Sequence, residues 1–176
     1  MKSIFGSKPT SSEKSSADKE EIEYDKHVDF YYTNIVNSII LYTYDTEKLD
    51  KMAPILIDPL AELYEELEHA FTPVCFETVF RMGLIEVSLK NELLMFKKEV
   101  DEIPTEIWDW EFIDNHKTWT SIRQKSNFLL DKLGVTSRNY NDNYTNLYDN
   151  KGNIVHKGKN CSADAGMSLV AQVDKT

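Results

Sequence analysis

Apolar residues recur along this chain at helical spacing, and proline or glycine punctuates the recurrences. Between about 20 and 44, Tyr24, Val28, Tyr31, Ile35, Ile39 and Tyr42 follow at steps of 4, 3, 4, 4 and 3, all on one helical face. Asp45 and Thr46 offer a cap for a short helix ending before Pro54. Asp58-Pro59 and Thr72-Pro73 each join a capping acceptor to a proline suited to the first helical position, so two helices are predicted to start there. The first, about 59–70, turns Leu60, Leu63, Tyr64 and Leu67 inward. The second, about 73–101, has one apolar stripe through Phe76, Phe80, Leu84, Val87 and Leu94 and another through Met82, Ile85, Leu89, Leu93, Phe96 and Val100. A helix apolar on two sides packs between neighbours, so this one is expected at the centre, with Gly83 permitting close helix approach.

A fifth helical region runs from about 105 to 133, broken near Asp114-Asn115, with Trp108, Phe112, Trp119, Ile122, Leu129, Leu130 and Leu133 on one face and Gly134 as its stop. Asn146–Val155 then alternates around Lys151-Gly152 like a hairpin. The pattern predicts an all-α protein, an antiparallel bundle of about four to five helices over 20–134 with a small C-terminal β-hairpin appendage. Residues 135–176 form that extension, with the hairpin near 146–155 and a loose end. Six of the first 16 residues are Ser, and residues 1–19 read as a disordered leader.

Charge sharpens this picture. The 176 residues carry 30 Asp and Glu against 20 Lys and Arg, a net −10. Residues 1–19 contribute +2 and 135–176 contribute +1, so the helical middle holds −13. Such a surface excludes general binding to nucleic acid, which needs clustered cations. Two cysteines make no disulfide framework, and no apolar run reaches the roughly 20 residues of a membrane helix, so a cytoplasmic protein without membrane insertion is expected.

Candidate chemistry is sparse. Glu66 and His69 form a Glu-x-x-His, with Glu62 and Glu65 nearby, the spacing by which di-metal bundles hold ligands on one helix face. No second Glu-x-x-His exists, and Glu62, Glu65, Glu66 and His69 fall nearly opposite the apolar face of their helix, as a solvated acidic surface would. Cys75 lies near a helix start but among apolar neighbours, and Cys161 has no identifiable partner. His116 follows Asp114 without a partner for base chemistry, and the common nucleotide-binding and nucleophile motifs are absent. Trp110 projects away from the core face of its segment, between Glu106 and Asp114, either as a binding residue for a basic partner or packed beneath the hairpin.

In size, acidity, helical content and Ser-rich leader, with a Tyr148–Ile154 turn like hairpins common in bacterial proteins, the chain resembles the small acidic immunity proteins that bacteria encode beside secreted toxins. The resemblance assigns no residue a role; the net −13 of the middle segment, the outward acids of the third helix and the absence of a catalytic set point to a non-enzymatic module binding a basic protein, plausibly a toxin, with no cofactor or metal. Glu62, Glu65, Glu66, His69, Glu106, Trp110 and Asp114 are its expected binding residues. The alternatives are a metal-dependent bundle enzyme joining Glu66 and His69 to Glu62, Glu86, Glu92, Glu111 or His116, and an oligomerisation or scaffold module resting on the many Tyr and Trp.

Overall fold

The computed structural model describes residues 22–53, 55–149, 151–160 and 171–173. The leader and Cys161 lie outside these residues. After a helical turn at 22–25, the helices are α1 (Val28–Leu41), α2 (Thr46–Asp50), α3 (Pro59–Ala70), α4 (Pro73–Arg81), α5 (Lys90–Asp101), α6 (Trp110–Ile113) and α7 (Lys117–Lys132). Single 3-10 turns, Val87–Leu89 and Thr105–Ile107, precede α5 and α6. A small sheet follows, β1 (Asn146–Asp149), β2 (Ile154–Lys157) and β3 (Ala171–Val173), in the order β2-β1-β3. The expected hairpin is the antiparallel β1–β2 pair, with a register shift between Leu147 and Tyr148. β3, parallel to β1, is an element the sequence pattern did not announce within the expected loose end.

The central helix is α1, not the 73–101 segment. Every residue from Ile35 to Tyr42 is buried, and α3, α4 and α7 all pack on α1. Its β-branched run (Thr33, Ile35, Val36, Ile39, Ile40) is a poor intrinsic helix former, and His27 gives no side-chain cap. Burial on all sides supplies the stability that propensity does not.

The expected long helix breaks at Gly83. Its φ of +73° is a left-handed conformation that a Cβ disfavours. There the Leu84 N–H bonds back to the Val79 carbonyl at 3.0 Å and the Gly83 N–H to Phe80 at 3.0 Å, closing α4. A Cβ on Gly83 would meet nothing within 4 Å, so this glycine ends a helix rather than admitting a neighbour. The break turns part of both apolar stripes outward; Val87 is 69 % exposed.

The break near Asp114 is present, with His116 Nδ1 capping α7 by accepting from the Thr118 N–H at 3.2 Å. Beyond Gly134 the chain returns across the helices as a polar strap. Asn37 of α1 donates to the Asn141 carbonyl at 2.9 Å and accepts the Asn141 N–H at 2.8 Å. The Tyr140 N–H donates to the Tyr44 hydroxyl at 2.9 Å, and Phe30 meets Tyr144 edge-on. Gly158 is required where the sheet meets the strap, because a Cβ there would lie 2.4 Å from the Asn143 carbonyl oxygen.

Candidate functional site

An aromatic cleft of about 460 Å³ opens between α3 and the segment before α6, lined by Asp58, Leu60, Ala61, Tyr64, Trp108 and Trp110. Local sequence builds both walls. Asp58 caps α3 by accepting the Ala61 N–H at 3.2 Å, and its other carboxylate oxygen has no partner among the described residues. Pro104 leads into the 3-10 turn, and Asp109 starts α6 by accepting the Glu111 N–H at 3.0 Å. Trp119 anchors this wall from below, its indole N–H donating to the Ile107 carbonyl at 2.7 Å and its ring meeting Trp108 edge-on at 4.8 Å. Tyr64 packs perpendicular to Trp108 at 6.2 Å. Tyr64 and Trp110 stay 39 % and 37 % exposed, so both rings present area to the cleft and to solvent.

The electrostatics of the walls follow from where cations are missing. No Lys or Arg occurs from 52 to 80, and none from 99 to 116. Of the 13 acids on these stretches, Glu68, Glu77, Glu99, Asp101, Glu102 and Asp114 pair with Lys or Arg from elsewhere. Asp58, Glu62, Glu65, Glu66, Glu106, Asp109 and Glu111 have no Lys or Arg partner among the described residues. All seven belong to α3 with its cap or to the 105–113 wall. Lys97, whose charge reaches Tyr64, is committed to Glu68 and Asp101. Beside it, Glu68 is held below its ordinary pKa by Lys97, and the Tyr64 hydroxyl is pushed up by its hydrogen bond to Glu68.

The expected binding residues separate. Trp110 lines the cleft with residues of α3. Glu65, Glu106 and His69 are exposed, and Glu62 accepts the Asp58 N–H at 2.9 Å. Asp114 belongs to the framework rather than the cleft: it accepts from the Thr46 N–H and hydroxyl at 3.1 and 2.6 Å, with Arg123 at 3.4 Å.

Glu66 is not on the outward face. It is buried, because Leu63, three residues before it, and Ala70, four after, bring the edge of the buried arc to its position. Burial, with Glu62 and Glu65 beside it, pushes its pKa from 4.5 to about 7. Tyr140 of the strap, itself raised by burial, feels the Glu66 charge.

Glu66 inward and His69 outward do not converge as metal ligands. Among the described residues no group of three or more His, Cys, Asp or Glu is placed to hold a metal ion. Cys75 is half-buried beside Tyr31, and burial raises its thiol pKa. Sequence reasoning missed Asp58, Tyr64 and Trp108, having placed Tyr64 and Trp108 in the core; the cation-free stretches on either side of the cleft were the available signal.

A second groove, about 290 Å³, lies between α5 and α7 and includes Met95, Phe96, Phe128 and Leu129. Its rim acids are neutralised, Glu92 by Lys132 at 2.7 Å and Glu99 by Lys125. No helix among the described residues is long and apolar enough to cross a membrane. No family model matches the chain, and no curated protein or solved structure matches it either.

Proposed function

We propose that this protein is a non-enzymatic binding module that presents an acidic surface to a basic protein, in the manner of a bacterial immunity protein neutralising a toxin in the cytoplasm. The helices serve on this reading as an antiparallel bundle that holds the surface rigid. The observation that carries it is the concentration of unneutralised acids on α3 and the 105–113 wall, while acids elsewhere on the helices are largely paired. Unbalanced charge costs self-repulsion in the free protein and is relieved when a cationic surface docks. It also steers association, so rate more than affinity is the diagnostic quantity.

The experiment is affinity capture from the native cell with two baits, the native chain and a Glu62→Lys/Glu65→Lys/Glu106→Lys variant. A basic partner retained by the first and lost by the second, with an association rate falling steeply as salt rises, supports the reading. Equal retention together with salt-independent association would sink it.

A further inference from the structure

We infer that the Tyr64–Trp108–Trp110 cleft is an arginine-binding site, which receives one guanidinium from the basic partner. The inference rests on the acidic-surface reading and adds the ligand chemistry of one site within it. Three aromatic side chains and a carboxylate line the same 460 Å³ opening. Trp offers the strongest cation–π face; Trp108 is held by ring contacts with Trp119 and Tyr64, and Trp110 completes the lining with its ring partly exposed.

Asp58 supplies the ionic half of the site. Its Oδ1 is turned toward the Ala61 N–H, and its other oxygen has no partner among the described residues. A carboxylate beside aromatic faces suits guanidinium better than ammonium, because guanidinium is planar, stacks on rings, pairs bidentately and is more weakly hydrated. Three aromatic rings line the cleft, and a strongly hydrated ammonium gives up more water than a guanidinium does to lie against them. The neighbouring cation Lys97 is held by Glu68 and Asp101 and does not fill the site.

The test uses the full chain with 15N-labelled tryptophan and three acetylated, amidated hexapeptides of arginine, lysine and citrulline, at about 50 mM salt. Hexaarginine is expected to shift the Trp108 and Trp110 indole signals most, and to bind about 3- to 5-fold tighter than hexalysine. Trp110→Ala should erase that preference while leaving hexalysine binding within about 2-fold. Asp58→Asn, which keeps the cap's acceptor oxygen, should weaken hexaarginine selectively, and thermal melts confirm that both variants fold.

Equal affinity for the two cationic peptides, or a preference untouched in Trp110→Ala, would overturn the arginine site. If both peptides nevertheless bind equally and with steep salt dependence, the acidic surface stands and the cleft alone falls. If neither binds, or citrulline binds as well as arginine, the site and the charge argument beneath it fall together.

Discussion

The cleft beside α3 and the groove between α5 and α7 are both surface depressions on the same helical scaffold, but they differ in charge balance. In the groove, each rim glutamate meets a lysine from the facing helix, and Lys132 also covers the Phe128 ring at 4.6 Å. In the cleft wall, Glu106, Asp109 and Glu111 have no Lys or Arg partner among the described residues. Total charge is therefore a poor guide to a recognition surface. What matters is where the compensating residues fail to appear, because a neutralised rim projects little field beyond a Debye length.

The comparison can be broken most forcefully at its base. Trp119→Ala removes the buried ring beneath Trp108 and the hydrogen bond to Ile107, and should cost about 3–5 kcal/mol of unfolding free energy in denaturant titration. It should also loosen the cleft while leaving the α5–α7 groove ion pairs intact; a loss below about 1 kcal/mol would show that the cleft wall is not seated on Trp119.

A second effect separates inward from outward acids on α3. Glu66 has a folded-state pKa raised above its ordinary value, so its contribution is full at low pH and is lost as pH rises from 4.5 through about 7. The native chain should therefore lose stability across that window. Glu66→Gln should remove the slope and gain about 1–3 kcal/mol at pH 8, whereas Glu65→Gln should change neither. A flat stability profile in the native chain would contradict the burial of the Glu66 carboxyl.

Smaller again is the kinetic contrast. Reversing Glu65 and Glu106 to Lys should slow association with a basic partner about 10-fold at low salt. Exchanging Glu92 and Lys132 for one another should leave the rate within about 2-fold, since the rim stays neutral. The smallest effect is expected from Lys132→Ala alone, within about 1 kcal/mol of stability, as for exposed ion pairs generally. Stopped-flow rates and melting curves read the two.

Helix positions were largely legible because their signals are local: Asp58-Pro59, Thr72-Pro73, Gly134 and the 3–4 spacing each act within a turn or two. Which helix occupies the centre was not. Two apolar stripes on 73–101 suggested that segment, but Gly83 in its middle adopts positive φ and divides it, while the α1 run showed one stripe and is buried all round. Glu66 and Tyr64 were both misplaced for a related reason. Each lies at a margin of the buried arc, where the neighbour decides: Glu66 is buried within reach of Tyr140, and Trp108 meets Tyr64 without closing over it.

The sequence by itself determined where most helices lie, the Asp58 cap and the Gly134 stop, the hairpin turn, and the confinement of net negative charge to the middle of the chain. Those properties depend on residues a few positions apart and on sums over composition. Thr72, by contrast, gives no side-chain cap, its hydroxyl donating to the Glu68 carbonyl at 3.5 Å, and the stop at Gly83 was not foreseen. The tertiary structure decided which acids are neutralised, which carboxyl is buried, and that Trp110 lines one cleft with Tyr64 and Trp108. Ion pairs such as Lys132–Glu92 and contacts such as Tyr64–Trp108 join residues 40 and 44 positions apart. Only the packing of helices sets those distances, so the uncompensated charge emerges only from the folded chain.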